Sequence, residues 1–332
     1  RPSLSEWIDR YHGTGRRGFR ENTREEYRRL LDQYAHRYFG ERLRLADVTP
    51  RHLAQFVAWL ADEGKQGKRL SDSSIANAVV PVRAALATAQ REGLIRHNPA
   101  TGLALPVRER VQDDGDQVKA MSREQLAAFL AIVPDRYRVF FHLLAATGLR
   151  VSECIALQRK HLHLDGSRPH VKVRRAIVKG KVEPPKTRHG RRSVALDPAM
   201  VTMLREHLAA LPDTSPDALV FPTRNGTPID PDNLRSRVLK PLVQEVGAPW
   251  AGFHTLRHTF ASLQLANGVN VLQLSRALGH HSPAFTLSVY THLLPGEEAP
   301  PLSLSDVLDW GNARVNTPDG SQPHADELAL AE

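Results

Sequence analysis

Apolar side chains recur at helical spacing through the first hundred residues, divided by polar and turn-forming punctuation. LSEWIDRY is amphipathic, and Thr23 with Glu26 reads as a capping box ahead of Tyr27, Leu30, Leu31 and Tyr34. Thr49 followed by Pro50 gives an N-cap and a first-turn proline. A fourth helix carries Ile75, Val79, Val82, Leu86 and Ala89, ends at Gly93 and is closed by Asn98-Pro99. Residues 106–120, PVRERVQDDGDQVKA, lack large apolar groups and read as a linker. Helical spacing resumes with a Ser122/Gln125 capping box before Leu126, Phe129, Leu130 and Val133, then with YRVFFHLLAATG. In HVKVRRAIVKGKV the period falls partly to two, with a break at Gly180, and RRSVALD reads as a returning strand. Helical patterns follow at 198–210 and in DNLRSRVLKPLVQEVG, with Asn225-Gly226 marking a turn between them. The expected fold is mainly α with a small antiparallel β-sheet, in two domains.

The stretch HTLRHTFASLQLANGVNVLQLSRALGHHSPAFTLSVY, His254 to Tyr290, concentrates the chemistry-bearing residues. At about 100° per residue, Leu256, Phe260 and Leu263 share one side of a helix while His254, Arg257 and His258 share the other. The apolar side is expected in a core and the basic side free for a ligand. Asn270 is the expected N-cap of a helix over Val271 to Leu278, and Gly268 and Gly279 sit where helix-ending glycines occur, so His280 projects from the following turn. Ten residues later Tyr290 lies in an apolar run. His254 and His258 have the spacing of zinc hydrolases, but Thr255 stands where their glutamate base would be. A single His or Tyr is more often a hydrogen-bonded core residue than a catalyst; only the ensemble argues for a site.

The chain has 332 residues, 41% of them hydrophobic, which suffices for two ordinary cores. A formal charge of +9 and a pI near 9.9 favour a polyanionic partner. One cysteine, Cys154, excludes an internal disulfide and a cysteine-rich zinc cluster, and it reads as a small buried residue. No unbroken apolar run has membrane-spanning length, no signal peptide is visible, and the expected compartment is the cytoplasm, at the nucleoid. The chain begins at Arg1 without a methionine, which leaves room for a preceding segment.

Together HTLRH, LGHHS and TLSVYTHLLP resemble the tyrosine recombinase (phage integrase) family. In that family a His-x-x-Arg box, a Leu-Gly-His box and a later tyrosine supply four active-site residues, and an upstream arginine and lysine complete the set. Arg150 matches the arginine, in Thr147-Gly148-x-Arg150-x-x-Glu153. Read directly, Gly148 loosens the chain before a helix starting near Val151, Ser152 and Glu153 favour its first turn, and Arg150 points from the helix entrance; alone it would pass for a surface arginine. Lys186, in PPKTRHGRRSVALD, matches the lysine on the family's β-hairpin, though Lys179, Lys181, Arg188, Arg191 and Arg192 crowd the same hairpin and read as a solvated or DNA-facing surface.

The resemblance implies residues 1–105 as a helical, SAM-like core-binding DNA-binding domain, 106–120 as linker and 121–298 as the catalytic domain. Residues 299–332 would hold an inter-subunit helix around Leu302 to Trp310 and a mobile tail. Arg16, Arg17, Arg20, Lys65, Lys68 and Arg69 are candidate phosphate contacts. The implied catalytic set is Arg150, Lys186, His254, Arg257, His280 and Tyr290. Tyr290 would be the nucleophile, His254 the base, the arginines and His280 the phosphate clamp, and Lys186 the acid for the departing 5′-hydroxyl. No metal or other cofactor is implied. The implied partners are double-stranded DNA, three further copies in a tetramer on DNA and an accessory DNA-bending or directionality protein; no membrane is involved. The implied activity is site-specific recombination through a 3′-phosphotyrosine. The alternatives are type IB topoisomerase-like relaxation and DNA binding without catalysis.

Overall fold

In a computed structural model of the chain, the residues described are 2–13, 19, 21–64, 69–106, 119–185 and 188–290. Lys186, the basic residues Arg16, Arg17, Arg20, Lys65 and Lys68, most of the expected linker and everything after Tyr290 lie outside them. The chain divides into two units, Arg1–Asp116 and Gln117–Glu332.

The N-terminal unit is helical: α1 (Leu4–Gly13), α2 (Glu21–Leu30), α3 (His36–Phe39), α4 (Pro50–Asp62) and α5 (Asp72–Arg91). Thr49 caps α4 as its sequence implies, accepting a hydrogen bond from the His52 backbone N–H, while Ser71 caps α5. The expected capping role of Thr23 does not hold, because α2 already begins at Glu21 and Thr23 lies inside it. A π-helical segment, Leu31–Ala35, joins α2 to α3, and it keeps Leu31 and Tyr34 in the core despite the extra residue in the turn. Ile75, Val79, Val82, Leu86 and Ala89 of α5 are all buried, and the Trp7 indole N–H of α1 donates to the Ala85 carbonyl at 3.0 Å.

The C-terminal unit opens with α6 (Arg123–Ile132), α7 (Asp135–Thr147) and the single turn α8 (Val151–Cys154). The strands β1 (Leu162–His163), β2 (His170–Val173), β3 (Ala176–Val178), β4 (Lys181–Glu183) and β5 (Arg192–Ala195) come next. They form two antiparallel sheets, one ordered β1-β2-β5 and the other a β3-β4 hairpin. The hairpin turns at Lys179 and Gly180, both with positive φ, and β5 returns onto β2 with Val194 opposite Val171. The remaining elements are α9 (Pro198–Ala209), α10 (Pro231–Leu234), α11 (Lys240–Glu245), α12 (Phe253–Ala266), α13 (Val271–Leu278) and α14 (Pro283–Tyr290).

Helix α7 lies in the middle of this unit. Phe140 and Phe141 meet at 5.5 Å and near a right angle; Phe141 reaches Phe129, and Phe140 reaches Phe221, in the same edge-on geometry. Cys154 is fully buried in this core, as expected. A separate apolar cluster joins Phe260, Ala261, Leu265, Leu274, Leu278 and Tyr290, packing α12, α13 and α14 on one another.

Gly148 connects α7 to the Arg150 segment. Its φ of +61° lies in the left-handed region, and a Cβ there would stand 2.5 Å from Phe260 Cδ1 and 3.0 Å from Leu278 Cδ2. Gly148→Ala should therefore destabilise the C-terminal unit by roughly 2–4 kcal/mol. Reduced hydrogen-exchange protection of α7 and α12 amides is the expected readout, and unchanged protection would contradict this packing.

Candidate active site

Arg150 is the N-cap residue of α8, half-buried, with its backbone extended as it enters the helix. Glu153, three residues on, accepts from the Arg150 N–H at 2.9 Å and from Arg150 Nη1 at 2.9 Å. The same carboxylate receives two parallel hydrogen bonds from Arg192 of β5, Nη1 to Oε1 at 3.0 Å and Nη2 to Oε2 at 2.8 Å. Arg192 also donates from Nε to the Ala277 carbonyl at 2.5 Å, so β5, α8 and the end of α13 meet on one guanidinium. Glu153 is 4% exposed and Arg192 8%. Burial alone would raise the Glu153 pKa, but the Arg192 hydrogen bonds and charge, with Arg150 adding, hold it down to about 2. The expectation that Arg192 belongs to a solvated or DNA-facing hairpin surface is thus corrected: the second of the paired arginines turns inward because a buried carboxylate awaits it. Arg191 is exposed.

Arg257 does not lie on a free basic side of α12. It is 3% exposed, and it donates to the Gly148 carbonyl at 2.7 Å and the Leu278 carbonyl at 2.6 Å. Those two carbonyls end α7 and α13, so they are helix-terminal acceptors that a cation suits. Burial first, then the charges of Arg150 and Arg192, lower the Arg257 pKa to about 9, which leaves it charged at neutral pH. His254 remains exposed at the first turn of the same helix, its pKa lowered by burial and by Arg257 and Arg150.

Asn270 caps α13 through its side chain, accepting from the Leu272 N–H at 2.8 Å, and Gly279 ends the helix in the left-handed conformation, both as the spacing implies. Half-buried His280 follows, its Nδ1 2.7 Å from the Thr286 hydroxyl of α14. Burial and the charges of Arg257, Arg150 and Arg192 lower its pKa to about 3. A basic cavity of about 760 Å³, lined by Arg174, Arg191, Arg192, Arg276, His280 and His281 among others, opens beside it.

Tyr290 ends the described part of α14 and is 1% exposed. Its pKa is pushed up to about 12 by burial, against the pull of Arg257. The hydroxyl does not meet His254, the base implied by the resemblance. Its partner is His258, with Nδ1 2.7 Å away, while the His254 ring stands 5.9 Å from the His258 ring. Arg150, His254, Arg257, His280 and Tyr290 therefore come together in one electrostatic neighbourhood; Lys186 lies outside the described residues.

Sequence reasoning missed Glu153 as a buried hub, Arg192 as its partner, His258 as the tyrosine's partner and Thr286. His258 left a signal in its i+4 spacing from His254, and Glu153 in its i+3 spacing from Arg150; Arg192 and Thr286 left none. Among the described residues, the one set of three His, Cys, Asp or Glu ligands close enough to share a metal is Asp9, Asp32 and His36 in the N-terminal unit, where Arg28 pairs with both carboxylates.

Residues 119–297 match the model of the phage integrase family, and residues 3–103 match the phage integrase SAM-like domain. The chain belongs to the phage integrase family. It is 28% identical over 291 residues to the prophage phiRv2 integrase of Mycobacterium tuberculosis, covering 85% of this chain and 72% of that one. It is also 28% identical over 320 residues to the tyrosine recombinase XerC of a Roseiflexus species, covering 92% and 94%. In fold it is similar to a fragment of the Tn1549 transposon integrase solved with a circular intermediate DNA, with a TM-score of 0.72 at 18% identity, over 94% of this chain and all of the solved fragment.

The Glu153 ion pairs make part of the stability of the C-terminal unit depend on pH. A carboxylate whose folded pKa is depressed stabilises the fold above its unfolded pKa and loses that contribution as pH falls through the folded value. Glu153→Gln should destabilise the C-terminal unit at pH 7 by roughly 3–5 kcal/mol, since it leaves Arg192 buried without its counter-ion. The gap from the unaltered chain should close between the ordinary carboxylate range and about pH 2. Urea unfolding across that window is the measurement.

Proposed function

We propose that this integrase is a site-specific DNA recombinase acting through a covalent 3′-phosphotyrosine, with Arg150, Lys186, His254, Arg257, His280 and Tyr290 as its catalytic set. The observation that carries the reading is the grouping of Arg150, Arg257, His254 and His280 near a buried tyrosine hydroxyl. Charge supports it: Arg150, Arg192 and Arg257 against Glu153 leave two uncompensated positive charges. A phosphodiester brings one negative charge, and its pentavalent transition state develops a second, so the field favours the transition state over the substrate.

In the proposed reaction Tyr290 Oη attacks phosphorus, forming the tyrosyl O–P bond as the bond to the 5′-oxygen breaks. Lys186 gives its proton to that oxygen. Arg150 and the free N–H groups of Arg257 hold the non-bridging oxygens in a fork that a lysine could not reproduce. His280 is neutral at working pH; with Nδ1 accepting from Thr286, its Nε2–H is left to donate to the phosphate. His254, also held toward its neutral form, offers a second such donor. The phosphotyrosine retains the ester's energy, and a 5′-hydroxyl from another duplex reverses the step onto a new partner, with no call for a metal or ATP.

The same proposal takes residues 1–105 as the helical core-binding domain and 121–298 as the catalytic domain. It includes assembly as a homotetramer on DNA, an accessory DNA-bending or directionality protein, and a cytoplasmic, nucleoid-associated setting. A nicked duplex pool in EDTA tests it. The unaltered protein should form a denaturant-stable adduct at Tyr290, and Tyr290→Phe should form none while still retaining DNA. Arg150→Gln should slow adduct formation by roughly a hundred- to a thousandfold. Adduct formation by Tyr290→Phe at the unaltered level would overturn the nucleophile.

A further inference from the structure

We infer that His258 is a catalytic residue of this integrase, the group that holds the Tyr290 hydroxyl in register and accepts its proton as the tyrosine attacks. The inference rests on the proposed phosphotyrosine reaction and assigns a step within it.

Geometry selects His258 over the other imidazoles. Its Nδ1 lies 2.7 Å from Tyr290 Oη, within the reach a base requires, and the two rings sit 5.9 Å apart at 57°. His254, one turn earlier on α12, meets the His258 ring edge-on at 62°. His280 is engaged with Thr286. The position of His258 is itself fixed, since α12 is buried along most of its length and Tyr290 belongs to the apolar cluster that packs α14 against α12 and α13. A hydroxyl buried to 1% exposure has no ready route for its proton to bulk water, so the neighbouring nitrogen is the exit.

The charged and titratable groups facing His258 are His254 and Arg257 on its own helix, Tyr290 from α14 and His280 from the turn after α13. Burial, then His254 and Arg257, lower its pKa to about 4, so the ring is neutral at pH 7 and its Nδ1 lone pair can accept. Against a tyrosine held near 12, the proton stays on oxygen while the site is empty. It moves only as Oη gains its bond to phosphorus and turns acidic. The electron pair of the O–H bond then remains on Oη, the proton goes to Nδ1, and the P–O5′ bond breaks to the leaving oxygen. An arriving phosphate raises the basicity of His258 by its negative charge, so binding of the correct polyanion arms the base.

The test is single-turnover adduct formation on the nicked duplex from pH 4 to 9 with His258→Asn and His258→Ala. Asn keeps a hydrogen-bonding atom near the Nδ1 position but cannot take up a proton. His258→Asn should form the Tyr290 adduct roughly a hundred- to ten-thousandfold more slowly at unchanged DNA affinity, and should lose the acid limb of the rate profile. Added imidazole should restore part of the rate of His258→Ala. Replacing Tyr290 by a fluorinated, more acidic tyrosine should speed His258→Asn far more than the unaltered protein. A purely structural role would leave the pH profile unmoved, give no imidazole rescue and show no dependence on tyrosine acidity. Such a result, or an unaltered rate in His258→Asn, overturns the inference while leaving Tyr290 as nucleophile; no adduct from the unaltered protein overturns both readings.

Discussion

A single buried carboxylate holds the C-terminal unit's site in shape. Glu153 receives the backbone N–H and guanidinium of Arg150 on one side and a two-pronged guanidinium from Arg192 on the other. Because Arg192 also reaches the Ala277 carbonyl, the strand that returns from the basic hairpin is tied to the helix that presents His280. Buried ion pairs are weak net contributors to stability, since desolvation consumes most of the Coulombic gain. Their effect is to make other arrangements costly: any shift of β5 or α13 would strand a charge away from water.

From that constraint follows the electrostatic character of the site. With Glu153 already committed to two arginines, the positive charge of the cluster is left over for an anion. The surrounding histidines respond by staying neutral, His280 down to about 3 and His258 to about 4, each through burial first and neighbouring charge second. Tyr290 moves the opposite way, because in its case burial penalises the ionised form. The cluster therefore keeps the Tyr290 hydroxyl protonated and the His258 and His280 imidazoles unprotonated at neutral pH.

Helix α12 carries this arrangement into the core. Arg257 is anchored by the carbonyls that end α7 and α13, which fixes the angle at which those helices arrive. Gly148 allows the approach: any Cβ would meet Phe260 and Leu278 of the same packing layer. Helix α14 docks on the result through the apolar body of Tyr290 and through Thr286, whose hydroxyl meets His280. Orientation of His280 and seating of Tyr290 are consequently coupled through one eight-residue helix.

Much of this was legible in local pattern. The caps at Thr49, Ser122 and Asn270, the left-handed glycines Gly268 and Gly279, the antiparallel return of β5 and the ordered boxes around Arg150, Arg257, His280 and Tyr290 all follow from residue type and spacing, because backbone capping and side-chain period act within a few residues. Local pattern failed where partners come from far along the chain. Arg191 and Arg192 are the same residue type side by side, and only a carboxylate thirty-nine positions away decides which is buried. His254 and His258 share a helix face, and only the docking of α14 decides which meets the tyrosine. The sequence by itself determined which groups the site owns and roughly where each element starts. Tertiary structure decided which of them touch, because desolvation and hydrogen-bond pairing depend on what closes over a side chain rather than on what precedes it.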